Sequence, residues 1–171
     1  ESDIYYQYAE AAYALEPTFT SAIGLAQKAQ KDGQLNKMLE YYNKALELAS
    51  SDSRRGIICL NICNGLTRSK QYTGALTYAE KAIAYNPDLT GKAYLKMANI
   101  NTMLGQYGEA IAYCSKASAA DITVSGSADR LKANIQKVQA NQAENAKARR
   151  AYDDYLKRQK AEEDFWKGSG K

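Results

Sequence analysis

The chain contains no histidine, only two prolines among 171 residues, and no glycine-rich phosphate loop. Without histidine it lacks the commonest general acid/base, the commonest metal ligand and the usual near-neutral proton switch. The Asp153-Asp154 and Glu162-Glu163 pairs are adjacent in sequence. Neighbouring residues on a helix point in different directions, so neither pair forms a catalytic dyad. The sequence therefore reads as a non-enzyme, and no cofactor or metal is expected. No apolar run approaches the roughly 18 residues a membrane-crossing helix requires, so no membrane insertion is expected from this segment.

Net charge is +4 and unevenly spread. Residues 1 to 128 hold 12 Lys/Arg and 12 Asp/Glu, whereas 129 to 171 hold 11 against 7. That excess suits a solvated helix face. Clustered basic residues interleaved with aromatics are absent, so nucleic acid is not an expected partner. The cysteines, Cys59, Cys63 and Cys114, fall on helical packing stripes and read as buried thiols. Such thiols favour a reducing, cytoplasmic compartment. A periplasmic or exported location stays open, because the chain begins at Glu1-Ser2-Asp3 inside a repeat and reads as a trimmed product with upstream sequence missing.

What the chain has is a repeat. The stretch from Gln71 to Pro87 carries Tyr72, Ala75, Ala82 and Pro87, with small residues where two helices approach closely and a proline that stops the second. It returns around Gln106-Tyr107-Gly108-Glu109-Ala110, around Gly33-Gln34-Leu35 with Met38, Tyr42 and Ala45, and at the N-terminus as Ala9, Ala12 and Pro17. The equivalent alanines Ala12, Ala45, Ala82 and Ala117 lie 33, 37 and 35 residues apart. These residues resemble the second helix of a tetratricopeptide repeat, a helix-turn-helix unit of about 34 residues. Tyr94, Met97, Ala98 and Asn101 precede Gly105 at the spacings where that family carries Trp, Leu, Gly and Tyr.

The resemblance implies an all-α, right-handed superhelical solenoid. The expected array spans 1–124: a partial repeat over 1–18, then repeats at about 19–52, 54–88 and 89–124. Helices are expected near 4–16, 20–31, 35–49, 54–69, 72–85, 91–104 and 107–119. Ser125-Gly126-Ser127 reads as a break, and 125–171 as a long capping and extension helix. Leu131, Ile135 and Val138 are its capping stripe, with Asp153/Lys157, Asp154/Arg158 and Lys160/Asp164 as i,i+4 pairs. Gly168-Ser169-Gly170-Lys171 reads as a frayed end.

First helices of such arrays line a concave groove, so the resemblance implies a polypeptide ligand beside Ile23, Gly24 and Gln27, then Leu60, Asn61 and Asn64, then Leu95, Lys96 and Asn99. Arg68 and Lys92 close the ends. This face carries cations and amides without a carboxylate. Some tetratricopeptide domains clamp a C-terminal carboxylate with Lys, Asn, Asn, Lys and Arg. Here Asn61, Lys92 and Lys96 match, while Ile23 and Gln27 depart. An acidic or C-terminal peptide is the implied ligand class. The alternative is an assembly protein in which Tyr152, Tyr155, Leu156 and Trp166, on the long C-terminal helix, make a homodimer. Those large apolar groups need the chain's own surface, a second copy or another protein. Tyr42, Tyr72, Tyr94 and Tyr107 read as packing, and Tyr5, Tyr6, Tyr41 and Tyr85 as outer or edge surface.

Overall fold

A computed structural model of the chain describes residues 2–168, except the side chains of Ser2, Trp166 and Gly168. Among the described residues the structure is helical. The elements are α1 (Ser2–Leu15), α2 (Phe19–Lys31), α3 (Leu35–Leu48), α4 (Asp52–Arg68), α5 (Tyr72–Tyr85), α6 (Thr90–Met103), α7 (Tyr107–Ala120) and α8 (Ile122–Gly168), with a 3-10 turn at Pro87–Leu89.

Two compact units divide after Lys132. In the first, α2 packs on α3, α4 on α5 and α6 on α7, while α3–α4 and α5–α6 contacts join successive pairs and α1 lies on α2. Fully buried alanines occupy these helix contacts, among them Ala22, Ala26, Ala29, Ala45, Ala75, Ala79, Ala82, Ala93, Ala110 and Ala117. Small side chains let helix axes come close, and the larger Leu25, Met38, Ile58, Ile62, Met97 and Ile100 fill the space between pairs. Each large side chain so buried contributes about 1.5–3 kcal/mol.

The helix starts follow local chemistry. Thr18 and Ser21 form a reciprocal capping box, the Ser21 N–H donating to Thr18 Oγ1 at 3.1 Å and the Thr18 N–H to Ser21 Oγ at 3.1 Å. Ser51 caps α4 by accepting from the Arg54 N–H at 3.3 Å. Asn86 accepts from the Asp88 N–H at 3.2 Å, and Pro87 sits in the first position of the short turn that leads into α6.

The inner turns of the pairs are one structure built three times. Gly33 (φ 72°), Lys70 (φ 59°) and Gly105 (φ 73°) all adopt the left-handed conformation. The residue after each returns its N–H five residues back: Gln34 to Ala29 O at 2.9 Å, Gln71 to Leu66 O at 2.8 Å, Gln106 to Asn101 O at 2.8 Å. This is the Schellman closure, in which glycine is the residue without steric penalty. Lysine takes that position in the middle repeat.

The expected break at Ser125-Gly126-Ser127 is absent. Helix α8 begins at Ile122, because Asp121 Oδ1 accepts from the Thr123 N–H at 2.8 Å and from Thr123 Oγ1 at 2.6 Å. That cap lies upstream of the serines and glycine, which continue the helix. Val124 and Ala128 are buried in this first stretch and Leu131 is half-buried; Val124 and Ala128 are capping positions outside the expected stripe.

The second unit, residues 133–171, is the remainder of α8 over its described part. From 136 to 165 every residue is exposed, Val138 included. The ion pairs differ from the expected i,i+4 set: Lys157 meets Asp154 at 3.8 Å, and Lys167 meets Glu163. The end at 169–171, expected to fray, lies outside the described residues.

Tyr6 and Tyr41 are not surface residues: they are 3% and 5% exposed. Helix α1 is tied to α3 by the Lys37–Glu10 ion pair at 2.8 Å and by the Tyr13 and Tyr41 rings, edge to face with centroids 5.8 Å apart. Lys37 Nζ lies 4.2 Å from the Tyr6 ring centre and Lys44 Nζ 4.6 Å from that of Tyr41. Tyr5 and Tyr85 are exposed as expected.

Candidate functional site

The first helices of the pairs, α2, α4 and α6, carry the candidate site. Between α2 and α4 lies a cleft of about 300 Å³, lined by Phe19, Ile23 and Gln27 on one side and Arg54, Ile57, Ile58 and Asn61 on the other. Its floor is apolar, with Ile58 buried beneath and Ile57 49% exposed at the wall. The Arg54 guanidinium stands 4.9 Å over the Phe19 ring. Gln27 and Asn61 place an amide on each wall, so the cleft offers apolar contact flanked by donors and acceptors.

Between α4 and α6, Lys96 Nζ donates to Asn64 Oδ1 at 2.6 Å. Both side chains are half-buried. Burial pushes the Lys96 ammonium below the usual lysine range, with the neighbouring Cys63 acting weakly the other way. A cation partly stripped of water interacts more strongly with an arriving carboxylate than a solvated one does.

The other candidates scatter. Lys92 is exposed and acts on the carboxyl of Asp121, which is held low first by its bonds from Thr123 and, to a smaller degree, by the Lys92 charge. The expected cationic end of the groove therefore includes a carboxylate. Asn99 turns back on its own helix, its Nδ2 donating to Leu95 O at 2.9 Å. Arg68 lines a separate cleft of about 380 Å³ with Gln30, Lys31, Gly33, Leu35, Met38, Gly65 and Ser69. Leu60, expected to face a ligand, is buried.

Sequence reasoning missed Phe19, Arg54 and Ile57. A signal existed: four consecutive apolar residues, Ile57-Ile58-Cys59-Leu60, exceed what one helical stripe buries, so one of them has to face outward.

The cysteines are shielded from solvent. Cys59, Cys63 and Cys114 are free and buried, and burial pushes all three thiols up, Cys59 to about 11. Such thiols are poor nucleophiles at neutral pH. Among the described residues no group of three or more cysteines and carboxylates comes together to hold a metal ion, and no helix is long and apolar enough to cross a membrane.

On α8, Tyr152 is 62%, Tyr155 56% and Leu156 47% exposed. The Trp166 side chain, grouped with them from sequence, lies outside the described residues.

No family model and no curated protein matches the sequence. Solved structures do match its fold. The TPR2B domain of yeast Sti1, in a complex with pHsp70, superposes with a TM-score of 0.59 at 15% identity, over 70% of this chain and 96% of that one. The Arabidopsis OM64 TPR domain gives 0.59 at 20% identity, over 70% and 95%. The first TPR of Spaghetti (RPAP3), bound to the HSP90 peptide SRMEEVD, gives 0.56 at 20%, over 70% and 93%.

Proposed function

We propose that this tetratricopeptide-repeat solenoid is a non-catalytic scaffold whose α2, α4 and α6 hold an extended polypeptide that carries an apolar side chain and an acidic or C-terminal carboxylate. The observation behind this reading is the pairing, on successive first helices, of the apolar α2–α4 cleft with the partly desolvated Lys96. The apolar side chain enters between Phe19, Ile23 and Ile57. The amides of Gln27 and Asn61 meet the peptide backbone. The carboxylate takes the Lys96 ammonium, in competition with Asn64.

The partner is a protein or peptide rather than a nucleic acid. The reading is supported by the neighbours of the same fold, among them one bound to SRMEEVD, a peptide with three acidic side chains. Lysine neutralises a carboxylate as a point charge without arginine's two-pronged geometry. The Lys96 bond and the apolar anchor each contribute about 1.5–3 kcal/mol and the two amides about 0.5–1.5 kcal/mol each, together about 4–9 kcal/mol, which corresponds to a Kd between about a millimolar and a micromolar.

The test is a fluorescence-anisotropy titration with labelled SRMEEVD and its C-terminal amide. The expected result is saturable binding in the range of about 1–100 µM, weaker for the amide and weakened at least about tenfold by Lys96→Ala. Equal binding of both forms with no effect of Lys96→Ala, or no binding of either, rejects the carboxylate reading.

A further inference from the structure

The exposed part of α8 has an ordered charge pattern that the groove does not use. Along the chain it runs Glu144, then Lys147, Arg149 and Arg150, then Asp153 and Asp154, then Lys157, Arg158 and Lys160, then Glu162, Glu163 and Asp164, then Lys167. Signs invert about a point at Leu156: Arg149 mirrors Glu163, Arg150 mirrors Glu162, and Glu144 mirrors Lys167 within one residue, and Arg149 and Glu163, seven residues either side, share the Leu156 face of the helix. Tyr152, Tyr155 and Leu156 sit at that centre and are exposed. Residues 144–167 span about 35 Å of helix.

We propose that this segment is an antiparallel self-pairing surface, in which α8 of one copy lies against α8 of a second with Leu156 near the two-fold axis. Antiparallel pairing sets each basic block against an acidic block of the other copy and covers the central tyrosines and leucine. A parallel, in-register pair sets like charge against like over the whole length, which is unfavourable. The occupant is a second copy of this chain, because the complementarity is of the segment with itself. This inference is independent of the groove reading, and each can fail alone.

The same alternation also supports ion pairs within a single helix, as Asp154–Lys157 and Glu163–Lys167 show. Charge reversal separates the two roles. In the full chain, Arg149→Glu/Arg150→Glu makes both outer blocks acidic, and Glu162→Arg/Glu163→Arg makes both basic. Sedimentation equilibrium is expected to show a monomer–dimer equilibrium for the unaltered chain and at least about tenfold weaker self-association for each variant. An equimolar mixture of the two variants is expected to recover a 1:1 complex. Arg149→Cys in one copy should cross-link to Glu163→Cys in another, and not to a second Arg149→Cys. An unaltered chain that stays monomeric, a mixture no better than its components, or self-linking at 149 overturns the proposal. So does a loss of helicity in the reversals with no change in mass, since the charges then serve only their own helix.

Discussion

Lys96 Nζ and Asn64 Oδ1 lie 2.6 Å apart across the step from α4 to α6, so this ammonium already has a neutral acceptor. On the proposed reading, a peptide carboxylate has to outbid that acceptor. Supplying the chain with its own carboxylate therefore blocks the site without removing the cation. Asn64→Asp is expected to weaken SRMEEVD binding at least about tenfold while leaving thermal stability equal or higher, a combination that folding defects do not produce. Anisotropy titration and a melting curve on the same sample check it.

Lys70 holds a left-handed turn that glycine holds in the neighbouring repeats. That conformation costs a non-glycine residue about 1–2 kcal/mol, partly offset by glycine's larger freedom in the unfolded chain. Lys70→Gly should stabilise the fold by about 0.5–1 kcal/mol, and Gly105→Lys should destabilise it by a similar amount. Urea unfolding of both variants, with unchanged slope, measures the two shifts.

At the base of α6, a Cβ on Gly91 would lie 2.2 Å from Asp121 Cβ and 3.2 Å from its backbone nitrogen. Backbone does not yield as a side-chain tip does, so Gly91→Ala is expected to cost about 1–3 kcal/mol. Gly108 meets nothing within 4 Å and lies in α7, so Gly108→Ala should hold or raise stability by up to about 1 kcal/mol. Calorimetry of the pair separates crowding from helix propensity.

Alkaline pH should unfold the chain for a defined reason. Burial, reinforced by Asp32, pushes the Tyr6 hydroxyl up to about 12, and burial likewise pushes Tyr42 to about 12. Both are neutral donors in the fold, Tyr42 to Gln30 Oε1 at 2.9 Å and Tyr6 to Asp32 Oδ2 at 3.3 Å. Unfolded tyrosine ionises near 10, so the stability these groups hold is fully present below about pH 10 and is lost as pH rises from there towards 12. Melting temperature by circular dichroism should fall above about pH 10, and less steeply in Tyr42→Phe.

Helix α5 was legible to the residue, because Tyr72 opens it, alanines at helical spacing line one face, and Asn86-Pro87 closes it. The joint at Lys70-Gln71 was legible only by analogy with Leu104-Gly105-Gln106; that lysine would adopt glycine's conformation is a tertiary result. The burial of Tyr6 and Tyr41 was hidden because it depends on α1 lying beside α3, and a helical period does not state how two outer helices face each other. Ser125-Gly126-Ser127 misled for the opposite reason: composition suggested a stop, but Asp121 had already committed the backbone to helix. At the site, residue types were readable and pairings were not. Asn64 finds Lys96, while Lys92 acts on Asp121 from the following turn.

Helix α4 buries Gly56, Ile58, Cys59, Leu60, Ile62, Cys63, Gly65 and Leu66, more of its length than any other described helix of the array. In a chain of nearest-neighbour contacts, opening fluctuations start where neighbours are fewest and die out towards the middle. The amides of α4 should then exchange with deuterium only when the whole array opens, and those of α1 through far smaller fluctuations. Asn61 and Asn64 stand on that segment, so on the proposed reading a bound peptide would come and go many times between openings of the wall beside it.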